Sequence, residues 1–441
     1  MLRLGLSSVL LLAASLVTGQ NVQQNQKVVP SILGGHWVDT WVSMPQLTEF
    51  NNLPNPPFNQ SGLVFPNTTI RQTIHTSVGA SQIRIRISNA FGVTNLPITA
   101  ATVALPTGGK AGVSSIQTKT LQTITFSGEP GISIPDGGLA VSDVLNFKVE
   151  PQSMLTITLY LEQGQTTNSI TSHPGSRTTS WYSFGNHVTA ANLTDPSTQN
   201  VAHWFFISAV EAWVPKTTSS FAIVGDSITD GRGSDTDQNN RWPDLVLAKM
   251  QQNPLTKNIA VLNQAAGGNR ILADGLGPAA VARIERDVLS HAGVKFAMIF
   301  EGVNDIGVAG TDVASQQLIG DQLIQAYKQI VARVHTFGIP IFAATITPFS
   351  APANVTIQPY SNPEREKTRQ RINTFIKTSG LFDAVIDFDA IVRDPKIPSQ
   401  LNPNFNSGDF LHPNDAGYSA IAKAFPLSIF TQFAGGVSPF Q

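Results

Sequence analysis

Four short segments in the second half of the chain carry the residue types of an acyl-transfer site. In chain order they are residues 225–228, 267–270, 302–305 and 409–412. Ser227 is a candidate nucleophile, and His412 is a candidate base that Asp409 can orient from three residues upstream. Gly268 can offer a backbone N–H to an oxyanion, and Asn304 can offer a side-chain amide. Any one of these segments could occur by chance in a chain of this size. All four together, in this order, favour a site for nucleophilic attack on a carboxylic ester.

These segments resemble the four blocks of the SGNH (GDSL-type) hydrolases, which carry Ser, Gly, Asn and His in this order. The resemblance covers about residues 219–430 and extends to secreted members that have a β domain in front of the catalytic domain. Ile228 stands where the family name has Leu, and this exchange of aliphatic side chains leaves the chemistry unaffected. The resemblance implies that segment 409–412 folds back beside Ser227. It also implies an oxyanion hole formed by the Ser227 N–H together with Gly268 and Asn304.

The order Ser, Asp, His also occurs in the α/β-hydrolases, so other residues must distinguish the two folds. The nucleophile of the α/β-hydrolases lies in a G-x-S-x-G pentapeptide. Here Thr229 occupies the final position after Ser227, and the pentapeptide occurs nowhere else in the chain. The sequence therefore favours the SGNH arrangement.

The pattern of apolar residues changes near residue 216 and predicts two domains. Residues 36–215 contain short alternating runs between Gly, Pro, Asn and Ser clusters, which is typical of an antiparallel, jelly-roll-like β-sandwich. Residues 216–441 alternate apolar strands with longer amphipathic stretches, which predicts a parallel sheet with helices on both faces. The resemblance implies that this second domain is flavodoxin-like. The nucleophile and both oxyanion donors then follow strand ends, where such sheets form their ligand crevice.

The same patterns predict the individual elements. The predicted strands are 69–78, 82–88, 121–126, 144–149, 155–161 and 203–213 in the first domain, and 221–224, 259–262, 296–300, 341–346 and 384–388 in the second. The predicted helices are 242–250, 279–289, 316–337, 364–377 and 415–425.

The first residues predict secretion to the extracellular space. Residues 1–19 combine an early positive charge, a short apolar run and a small-residue exit, as in a signal peptide, and residues 20–35 are interpreted as a linker. No later stretch is long and apolar enough for a membrane span, so no integral membrane association is expected. Four N-x-S/T sequons would accept glycans in a eukaryotic secretory pathway, at Asn59, Asn67, Asn192 and Asn354.

Composition excludes several classes of function. The chain has no cysteine, which excludes disulfides, thiol nucleophiles and thiolate metal sites. With a net charge of -1 and 13% charged residues, the chain lacks the excess of basic residues that binding to nucleic acid or to an anionic membrane requires. The histidines show no metal-ligand spacing, and the cluster of Asp230, Asp235 and Asp237 lacks the Gly and Glu of an EF-hand, so it is interpreted as a solvated loop. We expect neither metal nor cofactor, and a monomer.

The expected function is that of a secreted serine esterase. The resemblance to extracellular members linked to plant cell-wall polysaccharides implies removal of short acyl groups, such as acetyl, from a carbohydrate. A lipase or arylesterase acting on fatty or aryl esters is the alternative within the enzyme class. An alternative of another class is a non-catalytic carbohydrate-binding protein, which predicts a broken triad, whereas every catalytic position is present here.

Overall fold

The computed structural model describes residues 28–440. The predicted signal peptide, residues 1–19, and the first part of the predicted linker, residues 20–27, lie outside the described residues. Residues 28–35 contain turns and bends before the first strand begins. Within residues 28–440, no helix has the length and apolar character needed to cross a bilayer.

Residues 36–215, called the β region below, consist of short antiparallel strands. They are β1 (His36–Val42), β2 (Gln46–Leu47), β3 (Thr68–His75), β4 (Ile83–Ser88), β5 (Leu96–Ile98), β6 (Ala100–Ala104), β7 (Gln122–Ile124), β8 (Ile132–Ile134), β9 (Leu139–Val141), β10 (Met154–Leu161), β11 (Thr171–His173), β12 (Ser180–Phe184), β13 (Gln199–Val201), β14 (Trp204–Phe205) and β15 (Ile207–Val214). The two larger sheets have the orders β1-β15-β4-β9 and β13-β12-β3-β10-β6-β7. Residues of both sheets belong to one apolar core.

Strand β4 shows how the sequence pattern forms this core. Its isoleucines at 83, 85 and 87 are fully buried, whereas Arg84 and Arg86 between them retain some exposure. Successive side chains of a strand point to opposite faces, so the alternation places one apolar row against the facing sheet. Strand β10 is buried along its whole length because it lies in the middle of the larger sheet.

Two strand predictions in the β region need correction. Residues 144–149 form no strand, since only the isolated bridges 83↔145 and 80↔149 connect them to their neighbour. Three residues lie between these bridges on one side and two on the other, so the extra residue breaks the ladder. The predicted strand 203–213 divides into β14 and β15 because Phe206 has a φ of 64°, which ends the extended conformation.

Residues 216–440, called the α/β region below, have the predicted parallel architecture. The strands are β16 (Ser219–Gly225), β17 (Ile259–Ala265), β18 (Val294–Phe300), β19 (Ile341–Ala344) and β20 (Ala384–Ile386), and their order in the sheet is β17-β16-β18-β19-β20. The helices are α1 (Ser227–Asp230), α2 (Trp242–Gln251), α3 (Ala280–Ile284), α4 (Val303–Val308), α5 (Val313–His335), α6 (Pro363–Thr378), α7 (Phe388–Val392), α8 (Asp415–Ala424) and α9 (Ser428–Gln432). The predicted fold class, a parallel α/β sheet with helices preceded by antiparallel β structure, is confirmed.

The predicted helix 279–289 is shorter than expected as an α-helix. Helix α3 ends at Ile284, and residues Glu285–Leu289 continue as a π-helical turn. The N–H of Ser290 reaches back five residues to the carbonyl of Glu285, at 2.8 Å. Such a π turn is rare and often occurs at functional sites.

The β region packs directly against the α/β region. Strand β1 contributes Val38 to the core of the α/β sheet, and the Asp39 N–H donates to the carbonyl of Ala292 at 3.0 Å. The Asp39 carboxylate accepts from the Ala292 N–H at 2.8 Å and lies 2.7 Å from Nδ1 of His291. The two regions therefore share buried apolar and polar contacts, and loops from both converge at the carboxyl edge of the parallel sheet.

Candidate active site

Ser227 lies in a tight turn between β16 and α1. Asp226 caps the helix, its carboxylate accepting from the Ile228 N–H at 3.0 Å. A Cβ at Gly225 would meet Oγ1 of Thr229 at 2.6 Å and the carbonyl of Phe300 at 3.0 Å, so only glycine fits there. This close packing fixes the first strand-to-helix turn and holds the Ser227 hydroxyl at the sheet edge.

A chain of hydrogen bonds links Ser227 to His412 and Asp409. The Ser227 Oγ lies 2.7 Å from Nε2 of His412, and the Asp409 Oδ2 lies 2.6 Å from Nδ1 of the same ring. Between them, Phe410 has a φ of 60°, and the Asp409 Oδ1 accepts from the N–H groups of Leu411 at 3.0 Å and His412 at 2.9 Å. This turn lets side chains three residues apart face each other, which is the geometry of a nucleophile, base and orienting acid.

The electrostatics of the site suit a neutral base beside an ionised acid. Burial lowers the pKa of His412, an effect that the hydrogen bond and charge of Asp409 oppose. Burial alone would raise the pKa of Asp409, but the His412 ring and the two backbone N–H groups hold it well below its ordinary value. At neutral pH the imidazole is therefore free to accept the Ser227 proton, and the carboxylate stabilises the imidazolium that results.

The candidate oxyanion donors line the same crevice as Ser227 and His412. Gly268 has a φ of 71°, and a Cβ there would collide with the Leu276 side chain, so glycine is required. A Cβ at Gly267 would meet only Oδ2 of Asp230 at 3.7 Å, which leaves room for a side chain. The steric constraint thus falls on Gly268, the position that the sequence predicts.

Asn304 is held by two hydrogen bonds at the start of α4. Its Nδ2 donates to the carbonyl of Asn269 at 2.8 Å, and its Oδ1 accepts from the Tyr360 hydroxyl at 3.0 Å. An amide nitrogen carries two N–H donors, so one remains for the crevice. The amide is therefore preorganised, which is the property that makes an oxyanion donor effective.

Replacement of Asn304 by alanine tests this role. Because the amide acts on charge that develops in the transition state, we expect kcat to fall by roughly 10²- to 10³-fold with a smaller effect on KM. The companion variant Tyr360→Phe keeps the amide and removes only the hydrogen bond to its oxygen, so its loss should be smaller. A change confined to KM in Asn304→Ala would instead place Asn304 in ground-state binding.

A buried ionic cluster beneath the crevice was not predicted. Arg283 is 1% exposed and donates to Oδ1 of Asn269 at 2.9 Å, while its guanidinium lies 2.9 Å from Asp287 and 3.5 Å from Glu301. Through Asn269, it supports the carbonyl that accepts from the Asn304 amide. Asn269 belongs to the predicted segment 267–270, but nothing in the sequence separates Arg283 from the other basic residues.

Asp226 and Asp305, which neighbour Ser227 and Asn304 in the sequence, interact electrostatically with this cluster. Burial raises the pKa of Glu301 to about 8, that of Asp226 to about 7 and that of Asp305 to about 6. Asp305 nevertheless accepts from the backbone N–H groups of Ile271 at 2.9 Å and Leu272 at 3.0 Å. Asp226 and Asp305 thus fix loops, as their positions beside the candidate catalytic residues suggest.

Within the cluster of Asp230, Asp235 and Asp237, Asp235 is exposed as the predicted solvated loop requires, but the prediction is wrong for Asp230. Asp230 is 1% exposed, and its Oδ1 lies 2.9 Å from Nε2 of His173 in the β region. Asp235 pairs with the Asn240 amide instead, at 3.0 Å. The interpretation failed because the burying residue, His173, is 57 positions away in the sequence.

The β region forms one wall of the crevice, which has a volume of about 620 Å³. The residues that it contributes are Gln46, Glu49, Asn52, Pro174, Gly175, Arg177 and His203. From the α/β region, the crevice is lined by the candidate triad and oxyanion donors, together with Arg232, Leu276, residues 357–360 and Leu411 among others. The sequence did not predict this wall because its residues come from three separate segments that carry no recognisable motif.

Comparisons with known proteins give one family model and several solved structures that resemble the α/β region. Residues 221–425 match the family model described as GDSL-like Lipase/Acylhydrolase. Curated proteins give no match to this sequence. Solved structures similar to the chain include a carbohydrate acetylesterase family member from Sinorhizobium meliloti, at 15% identity over 49% of this chain and 100% of that one, with a TM-score of 0.37. An acetyl xylan esterase from Geobacillus stearothermophilus is 20% identical over 48% of this chain and 96% of that one, with a TM-score of 0.36.

Proposed function

We propose that this carboxylic ester hydrolase, in which residues 221–425 form a GDSL-like lipase/acylhydrolase domain of the SGNH family, works through a triad of Ser227, His412 and Asp409. The observation that carries the proposal is the continuous hydrogen-bond chain from Ser227 Oγ to His412 at 2.7 Å and on to Asp409 at 2.6 Å. It ends in a crevice that also contains both candidate oxyanion donors.

In the proposed reaction, the Ser227 oxygen attacks the ester carbonyl as His412 takes the hydroxyl proton. Negative charge on the carbonyl oxygen is stabilised by the N–H groups of Ser227 and Gly268 and by the Asn304 amide. His412 then gives its proton to the departing alcohol, which leaves an acyl group on Ser227. Water, activated by the same imidazole, releases the acid and restores the hydroxyl.

We propose a short acyl group, such as acetyl, on a carbohydrate as the substrate. The crevice is wide, and many of its lining side chains can form hydrogen bonds, among them Gln46, Asn52 and Gln358. Such a surface suits a leaving group rich in hydroxyls. Its apolar members, including Leu276 and Ile357, are substantially exposed and do not form a closed tunnel for a long chain.

A series of p-nitrophenyl esters from acetate to palmitate tests the acyl preference. Each added methylene would need apolar burial worth ~0.8 kcal/mol to be favoured, and an open polar crevice provides little of it. We therefore expect kcat/KM to be highest for acetate or another short ester and to decrease with chain length. If kcat/KM were highest for octanoate or a longer ester, the proposed short-acyl substrate would be wrong and the lipase alternative would be favoured. Wild-type protein that binds carbohydrate but turns over no ester would favour the non-catalytic alternative.

We also propose that the protein is secreted and glycosylated. Three of the four sequon asparagines, Asn67, Asn192 and Asn354, are exposed, as glycan attachment requires. Asn59 is half-buried, and its Oδ1 is enclosed without a hydrogen-bond partner among the described residues. Peptide mapping of protein from a eukaryotic host, before and after glycosidase treatment, would identify the occupied sites.

A further inference from the structure

Arg177 lies on the wall that the β region contributes to the crevice. It belongs to the loop between β11 and β12 and lines the same crevice as Ser227 and His412. Its φ is 49°, in the left-handed region that a non-glycine residue rarely adopts. Such strain persists only where the surroundings impose it, and it occurs preferentially at binding and catalytic sites.

The α/β region imposes this conformation through Asp237. The Asp237 N–H donates to the Arg177 carbonyl at 2.9 Å. Its carboxylate accepts from the Thr179 N–H at 2.7 Å and from the Thr179 hydroxyl at 2.8 Å. Asp237 therefore bonds to the loop on both sides of Thr178. In this way the α/β region holds Arg177 at the crevice.

The Arg177 side chain has no partner within residues 28–440. Its Nε is buried and makes no hydrogen bond, and no carboxylate lies within ion-pairing distance of its guanidinium. A buried guanidinium donor without a partner is unfavourable in the free protein. The pKa of His412 is affected most by burial, then by Asp409 and Arg232. The charge of Arg177 also lowers this pKa, which agrees with a position of Arg177 near the base.

The other charged groups of the crevice each make at least one polar or ionic contact. Asp409 is bonded to His412, and Arg232 lies 3.9 Å from the same carboxylate. Glu49 accepts from the side-chain amides of Gln46 at 2.6 Å and Asn52 at 2.8 Å. Asp230, the remaining acid, is bonded to His173. Among these charged groups of the crevice, as described over residues 28–440, Arg177 is the one whose side chain makes neither a hydrogen bond nor an ion pair.

We propose that Arg177 is a specificity-determining residue that binds a carboxylate on the alcohol part of the ester, as in an acylated uronic-acid sugar. The inference rests on the proposed function, since a short neutral acyl group leaves only the alcohol part to carry the charge. A guanidinium fork matches a planar carboxylate, with two parallel N–H···O bonds. The three acidic residues that also line the crevice disfavour a more highly charged anion.

Paired substrates isolate this interaction. Acetylated methyl glucuronoside and acetylated methyl glucoside, with the acetyl group at the same ring position, differ only in a carboxylate against a hydroxymethyl group. We expect the wild-type enzyme to favour the uronoside in kcat/KM. In Arg177→Gln this preference should fall by about tenfold to 100-fold, chiefly through KM, because a charge-assisted hydrogen bond is lost. Arg177→Lys should recover part of it.

A matched variant and a binding measurement complete the test. Arg371→Gln removes an arginine on α6 that pairs with Asp321, so it should keep the uronoside preference of the wild type. Calorimetry on the Ser227→Ala protein should show methyl glucuronoside binding that Arg177→Gln weakens by a similar factor. The binding measurement does not depend on turnover. If the wild-type protein hydrolysed no ester at all, the proposed function would be refuted, but calorimetry would still test whether Arg177 binds a carboxylate.

Two outcomes would overturn the carboxylate site. One is an unchanged uronoside-to-glucoside ratio in Arg177→Gln together with unchanged binding of methyl glucuronoside. The other is a wild-type enzyme that prefers an acetylated glucoside 6-sulfate to the uronoside, which would show that the site selects a sulfate.

Discussion

Replacing Ser227 by alanine is expected to remove nearly all ester hydrolysis, with a fall in kcat of up to about 10⁶-fold. The substitution removes only the hydroxyl that bonds to His412, so the fold should be retained. The residual rate would come from the oxyanion donors and from substrate binding. Turnover of p-nitrophenyl acetate and labelling by a fluorophosphonate measure the loss, and circular dichroism checks the fold.

Ser290→Ala is the matched control for this experiment. The Ser290 hydroxyl donates to the carbonyl of Arg286 on the surface and does not line the crevice, so full activity and no change in labelling are expected. A correctly folded Ser227→Ala protein that keeps more than a trace of wild-type turnover would mean that another group is the nucleophile.

The second large effect is expected for Asp409→Asn, with a loss in kcat of about 10⁴-fold. An asparagine can still accept the N–H bonds of Leu411 and His412, so the turn should persist. What is lost is the anionic acceptor that faces Nδ1, which selects the ring tautomer and stabilises the imidazolium. The kcat for acetate esters, with a thermal unfolding curve as the check on the turn, measures the effect.

Asp415→Asn serves as its control, because Asp415 is an exposed acid three residues beyond His412, in the first turn of α8. It should leave turnover unchanged. If Asp409→Asn retains a tenth or more of the wild-type kcat, the orienting acid is a different residue.

The parts of the site that the sequence predicts are those whose geometry is local. Asp409 and His412 are three residues apart, and a single left-handed residue, Phe410, brings their side chains together. Gly268 is predicted because it directly precedes Asn269 and Arg270, as in the family motif, and a Cβ at this position would collide with the Leu276 side chain. The strand ends that carry Ser227 and Asn304 follow from continuous apolar runs, which strongly indicate buried parallel strands.

The parts that could not be predicted depend on contacts between distant segments. The sequence around Asp230 predicts a loop residue, and only the structure shows its contact with His173. Arg177 has no sequence feature that marks it as a crevice residue. The division between β14 and β15 depends on the left-handed backbone of Phe206, a bulky residue that the pattern places within a continuous strand. Propensity and periodicity describe neighbours along the chain and contain no information on such pairings.

The bond between His173 and Asp230 has a consequence for how this protein can change in evolution. It joins the end of strand β11 in the β region to the helix that begins with the candidate nucleophile in the α/β region. A recombination event that exchanged the β region for a foreign one would alter substrate selection and, in the same event, leave a buried carboxylate beside the nucleophile without its partner. The two halves are therefore not interchangeable modules, and new specificities should arise by point substitution and loop variation within an inherited pair.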